Sequence, residues 1–194
     1  MKVAIIKYNA GNIRSVFFAL ERLGIRPIIT DDFSTIREAD KVIFPGVGEA
    51  GTTMEYLRNK GLDTLICNLR QPVLGICLGM QLMCRHSEEG DTLGLGIFDL
   101  PVLKFNVNLK IPHMGWNRLS DTIGPLTGQN MEGKYVYFVH SYYVPAAPES
   151  IAITNYDISF SAAIRKDNFF ATQFHPEKSG AIGEQILKNF LEIN

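Results

Sequence analysis

The sequence predicts an α/β fold: a largely parallel sheet with helices, extended by antiparallel strands in its second half. Three observations predict it. Short unbroken apolar runs at 3–6 and 42–44 alternate with stretches of helical periodicity, and unbroken rather than alternating runs suit strands buried on both faces. Residues 72–81 read P-V-L-G-I-C-L-G-M-Q, an apolar run entering a helix-forming run through G-x-C-x-G. After Gly90 the pattern changes to short strand candidates punctuated by Gly, Pro and Asn.

Taken in order, 3–6 is a strand, followed by the polar turn Y-N-A-G-N-I. Asn12 is the expected N-cap of a helix with Ile13, Val16, Phe17, Leu20 and Leu23 on its apolar face, and Gly24 is its stop. Residues 27–29 make a second strand, 31–39 a turn with a short helix, and 41–44 a third strand ending in P-G-V-G at 45–48. That Gly-rich turn lies at a strand's carboxyl end, where open α/β sheets place their sites. No Gly-Lys-Ser/Thr follows it, which disfavours a nucleotide loop. Thr52 and Glu55 fit a capping box for a helix to about Lys60. Leu62, Leu65, Ile66 and Leu69 mark a second helix, and the cysteine strand then gives way to a helix from 78 to about 86. Later strands are expected at 96–98, 102–105, 116–119, 135–139, 151–156, 161–164 and 169–174. A last helix over 179–193 carries Ile182, Ile186, Phe190 and Ile193 on one stripe. No linker interrupts this series, so one domain over 1–194 is expected.

Composition narrows the function classes. A chain of 194 residues with 46% hydrophobic and 20% charged residues has the length for one sizeable core. A net charge of -1 gives no general attraction to nucleic acid or an anionic membrane. Three cysteines and no signal-like start point to the cytoplasm and away from a disulfide framework. No apolar run approaches the roughly 20 residues of a membrane span.

The chemistry centres on Cys77. G-x-C-x-G is the thiol counterpart of the nucleophile elbow, in which a sharp strand-to-helix turn exposes the nucleophile. Gly75 and Gly79 remove Cβ atoms that would collide there, and the helix from Leu78 aims backbone N–H groups at the sulfur. The alternative is a buried core cysteine. The deciding partners lie in H-P-E at 175–177. Residues two apart in an extended segment share a side, so His175 and Glu177 can face one site, as base and as the group orienting it. His86, His113 and His140, near a helix end and later turns, form no zinc spacing with the cysteines, so no metal or cofactor is expected. Cys67 and Cys84 fall on helices and read as packed thiols.

G-I-C-L-G-M-Q at 75–81 and Q-F-H-P-E-K-S at 173–179 resemble the elbow and the His/Glu segment of the class I, triad-type glutamine amidotransferases. Gly11-Asn12-Ile13, P-G-V-G at 45–48, P-H-M-G-W-N at 112–117 and F-V-H-S-Y-Y at 138–143 are similar to the branch whose glutaminases feed a (β/α)8 cyclase of histidine biosynthesis. The resemblance runs end to end. It implies a three-layer α/β/α fold and hydrolysis of the L-glutamine amide, with Cys77 as nucleophile, His175 as base then acid, and Glu177 as orienter.

The same resemblance implies an oxyanion hole from Leu78 and the Gly46-Val47-Gly48 turn, which its glycines allow to reorient. Gln81, one helical turn after Cys77, would contact the substrate amide. Gly48, Ser141 and Tyr142 would help to hold glutamine. The cyclase, typically of ~250 residues, must be a separate chain. Asn12, Met114, Trp116 and Asn117 are the candidate interface, with a core position as the alternative for Trp116. Other readings stay open: a glutaminase serving another acceptor, a silent regulatory subunit, or a Cys peptidase.

Overall fold

The computed structural model describes residues 1–8 and 12–193. Residues 9–11 of the first turn, Gly11 among them, lie outside the described residues. The chain enters β1 (Val3–Ile6), passes through α1 (Ile13–Arg22) to β2 (Ile28–Thr30), and through α2 (Phe33–Arg37) to β3 (Lys41–Phe44). It continues through α3 (Ala50–Lys60) and α4 (Leu62–Cys67) to β4 (Val73–Ile76) and α5 (Leu78–Met83). Next come β5 (Cys84–Ser87), β6 (Thr92–Leu93), β7 (Phe98–Lys104), β8 (His113–Arg118) and α6 (Gly124–Thr127). The remainder is β9 (Tyr135–His140), β10 (Tyr142–Tyr143), β11 (Ser150–Tyr156), β12 (Ile158–Lys166), β13 (Phe169–Thr172) and α7 (Gly180–Glu192).

Seven strands form one sheet in the order β11-β12-β13-β4-β3-β1-β2. The five from β13 to β2 are parallel, and β12 and β11 extend the edge antiparallel. The unbroken apolar runs are buried on both faces as their composition demands. Ala4, Ile6, Val42, Phe44 and Val73 pack with residues of α2 to α5. Val3, Ile5, Ile43, Leu74 and Ile76 pack with α1 and α7. The result is three layers, helices on each face of the sheet. A second sheet, β10-β7-β5-β6, and the pair β8–β9 lie outside it. Their position matters because β9 passes close to the end of β4.

Several local expectations are corrected. The capping box at Thr52 and Glu55 does not form: the helix starts at Ala50, and the Glu49 carboxylate accepts from Gly51 N–H at 2.8 Å and Thr52 N–H at 2.7 Å. Asn12 stands at the head of α1 with φ 67° and makes no side-chain cap. The helix after Cys77 ends at Met83, because residues 84–87 pair with β7 and β6 and non-local pairing overrides local propensity. Cys84 therefore heads a strand and is buried, whereas Cys67 is exposed rather than packed. Among the described residues no helix is long and apolar enough to cross a membrane.

Candidate active site

β4 and β13 are neighbouring parallel strands, with Ile76 opposite Thr172. Both end at the same edge, so the residues that follow them meet in space although they are distant in sequence. Cys77 N–H donates to Thr172 O at 2.7 Å, and the chain then turns at Cys77 with φ 52° and ψ −105°. A residue with a Cβ held there stores about 1–3 kcal/mol of backbone strain. The turn fits because Gly79 has no side chain: a Cβ there would fall inside the Phe44 carbonyl oxygen. With only six residues, α5 is too short for a large macrodipole at the sulfur.

The elbow also touches the P-G-V-G turn. Leu78 N–H donates to Gly46 O at 3.4 Å, so in this conformation the donor expected to face an oxyanion faces a carbonyl instead. Val47 is half-buried and Gly48 exposed. The buried Tyr8 hydroxyl donates to Pro45 O and fastens the turn from beneath. Burial, with the Cys77 sulfur nearby, raises the Tyr8 phenol well above its ordinary range and keeps it a donor.

His175 and Glu177 are adjacent, but not by strand alternation. β13 stops at Thr172, and a tight turn over Pro176–Lys178 swings the carboxylate back, placing Glu177 Oε1 2.8 Å from His175 Nδ1. His175 N–H donates to Tyr137 O at 2.9 Å, which fixes the ring's base. His175 Nε2 and Glu177 Oε2 are buried without a hydrogen-bond partner among the described residues. Burial pushes the imidazole down, but the Cys77 sulfur and the Glu177 carboxylate push it up further, leaving it above its ordinary value. Asn12 joins this set rather than capping α1: its Nδ2 donates to Glu177 Oε1 at 2.5 Å.

Gln81 is buried beside Cys77 and donates through Nε2 to Tyr142 O and to Gln173 Oε1, both at 3.0 Å. The carbonyls of Ser141 and Tyr142 are engaged internally, Ser141 O by Phe105 N–H at 3.0 Å. Sequence reading gave no role to Gln173 and left His113 and His140 near turns. In fact β8 and β9 pair His113 with His140, and their rings join at 2.9 Å between Nδ1 and Nε2. Burial lowers His113 to about 4 and His140 to about 3. No periodicity signals such a pair; only the strand register does.

The outer face of β8–β9 carries Met114 opposite Val139, Trp116 opposite Tyr137 and Arg118 opposite Tyr135. Met114 is 59% and Trp116 56% exposed, which excludes the core alternative for Trp116. Asn117 does not share this face: it points inward and donates to Asn155 O at 2.9 Å and to His113 Nε2 at 3.2 Å. On the catalytic side, the Cys77 sulfur lies 3.9 Å from Val139 O. Among the described residues no group of three or more His, Cys, Asp and Glu could hold a metal ion.

Residues 5–193 match the family model described as glutamine amidotransferase class-I. A Bacteroides thetaiotaomicron protein named imidazole glycerol phosphate synthase subunit HisH is 60% identical over 196 residues, covering 100% of both chains. A protein of the same name from Yersinia pseudotuberculosis is 48% identical, also over 100% of both. Among solved structures, a glutamine amidotransferase superposes with a TM-score of 0.76 at 20% identity, covering 98% of this chain and 97% of that one. PurLQS from Thermotoga maritima superposes at 0.70 and 17% identity, covering 98% and 97%.

Proposed function

The chain belongs to the class I glutamine amidotransferases, and from that premise we propose that it is the glutaminase subunit of an imidazole glycerol phosphate synthase. It acts as one cytoplasmic glutaminase domain, with L-glutamine as substrate and a (β/α)8 cyclase as partner. The observation that carries the catalytic assignment is the strained Cys77 at φ 52° beside a buried His175 whose Nε2 has no hydrogen-bond partner among the described residues and whose Nδ1 is held by Glu177.

Cys77 gives its proton to His175 Nε2, and the sulfur attacks the side-chain amide carbon of glutamine. The tetrahedral oxyanion collapses as His175 returns the proton to the departing nitrogen, releasing ammonia and leaving a γ-glutamyl thioester. Water, activated by the same imidazole, then releases glutamate and restores the thiol. Glu177, itself held by Asn12, keeps Nδ1 protonated so that Nε2 is the working atom.

Two features argue for control by a partner. Cys77 and His175 are almost completely covered, and Leu78 N–H is engaged by Gly46 O. Turnover requires this carbonyl to turn away, freeing Leu78 N–H and bringing an N–H of the turn toward the oxyanion. The exposed Met114, Trp116 and Tyr135 lie on the strand pair that borders Cys77 and His175, a suitable surface for a cyclase whose docking moves the turn. Ammonia passed across that boundary stays neutral and nucleophilic, and the cyclase uses it to form imidazole glycerol phosphate and AICAR.

The test is glutamate release by the purified chain, with and without a histidine-pathway cyclase and its nucleotide ligand. Weak release that rises by orders of magnitude with the liganded cyclase supports the proposal. Strong release indifferent to the cyclase would retain the triad and remove the partner.

A further inference from the structure

We propose that Gln173 is a further catalytic residue, one whose side-chain N–H holds the Cys77 sulfur. The proposal rests on the glutaminase reading above, with Cys77 as its nucleophile. Gln173 follows β13, has no exposed surface, and is anchored by its own backbone N–H to Ala162 O at 2.8 Å. Its Nε2 lies 3.6 Å from Cys77 Sγ, and its Oε1 lies 3.0 Å from Gln81 Nε2.

A carboxamide has two orientations, and its neighbours select one. Tyr142 O can only accept. It receives an N–H from His140 Nδ1 at 2.7 Å and another from Gln81 Nε2 at 3.0 Å. Gln81 therefore turns its NH2 group toward this cluster, and its second N–H needs an acceptor, which is Gln173 Oε1. Gln173 is left with its own NH2 toward the sulfur. The reverse orientation would set donor against donor at Gln81 and a carbonyl oxygen against the Cys77 thiolate, at side chains buried from bulk solvent.

A fixed N–H donor distinguishes the states of the sulfur. It favours the thiolate and gives nothing to the thiol proton, which goes instead to His175 Nε2, a buried nitrogen with no hydrogen-bond partner among the described residues. The contact weakens when the sulfur becomes a neutral thioester and returns when hydrolysis expels the thiolate. Gln81, held by two acceptors through its NH2 group, keeps its own oxygen for the substrate amide. One row of side chains thus positions the nucleophile and the substrate contact together.

The test is the pH dependence of Cys77 alkylation by iodoacetamide in wild type, Gln173→Glu and Gln173→Leu, resolved from Cys67 by peptide mass spectrometry. It requires neither glutamine nor cyclase. Gln173→Glu keeps the acceptor for Gln81 and replaces the donor at the sulfur with an anionic oxygen. The half-plateau pH should rise by about one unit or more in Gln173→Glu, and by less in Gln173→Leu. With cyclase present, kcat for glutamate release should fall about tenfold or more while KM for glutamine stays within about threefold.

Alkylation profiles that superimpose on wild type in both variants overturn the proposal whatever happens to Tm, because a purely structural role moves stability and not the sulfur. The unaltered protein supplies a second arm that survives poor folding of a variant. The Gln173 side-chain amide resonance should shift with the alkylation midpoint, and an amide insensitive to pH across it also overturns the assignment. Failure of the glutaminase reading is separate and visible, as a wild-type protein that alkylates normally at Cys77 yet releases no glutamate with the cyclase.

Discussion

Adding one methyl group at Gly46 tests the contact between the oxyanion turn and the elbow. Gly46 has no positive φ, so alanine is compatible with its backbone and the perturbation is steric. The new Cβ would stand 2.7 Å from Leu78 Cβ, 2.7 Å from the Tyr8 hydroxyl and 2.8 Å from Gly79 N. Each is well inside the ~3.5 Å at which heavy atoms rest. Two of the three neighbours belong to the strained start of α5 and the third is pinned to Pro45, so the turn itself must retreat. Overpacking of this kind costs about 1–3 kcal/mol. At roughly 2–4 °C per kcal/mol for a chain of this size, Tm should fall by several degrees. The turn that retreats is the one proposed to complete the oxyanion site, and a displacement of ~1 Å costs about 10²-fold in rate. Differential scanning calorimetry and cyclase-stimulated glutamate release read the two effects. A Gly46→Ala variant with Tm within about 1 °C and release within about twofold of wild type would refute the close packing of turn and elbow. Gly46→Pro would meet the same crowding at its Cβ and so cannot isolate the flexibility of the turn.

Three further outcomes follow. Asn12→Ala removes a hydrogen bond to the buried Glu177 carboxylate, worth about 1.5–3 kcal/mol, and should lower kcat about tenfold or more with little change in KM; unchanged kcat would detach Asn12 from the site. His140 stays neutral in the fold down to about 3, while the unfolded chain binds that proton near ~6.5. Stability should therefore fall as pH drops from about 6.5 toward 3, by up to about 1.4 kcal/mol per unit from this group. Urea titrations should show that slope flattened in His140→Asn, and an equal slope in both proteins would contradict it. Trp116→Ala should weaken cyclase association by ~2 kcal/mol and leave Tm of the isolated chain within about 2 °C. Calorimetric titration showing undiminished affinity would remove Trp116 from the interface.

What was legible in the sequence depended on locality. The buried runs at β1, β3 and β4, the stripe of α7 and the glycine pattern around Cys77 are written in neighbouring residues, so they can be read without the fold. His175 and Glu177 were recognisable as partners from H-P-E, but through the wrong geometry: a tight turn, not an extended strand, brings them together. The short α5 and the strand β5 were misjudged because pairing with β7 and β6, set by distant residues, overrides helical propensity at 84–87. Glu49 is the cap in place of Thr52 because the helix begins earlier, at Ala50, and the Glu49 carboxylate takes the N–H groups of Gly51 and Thr52 themselves. Gln173 and the imidazole pair were invisible because their partners are fixed only by β4 lying beside β13 and by the register of β8 on β9. The inward turn of Asn117 follows from the same register, which separates it from Met114 and Trp116.

The row of buried imidazoles has a consequence for where a proton can travel. Tyr142 O can only accept, so His140 carries its hydrogen on Nδ1, and His113 must in turn donate from Nδ1 to His140 Nε2. Asn117 closes the far end by donating to His113 Nε2. Every bond points the same way, and neither ring has a vacant lone pair or a spare hydrogen. The row is a polarised dead end: moving a proton along it would require every member to change tautomer at once. In the mechanism proposed above, the row therefore offers no route for the proton lifted from Cys77, which stays with His175 until the departing amide nitrogen takes it.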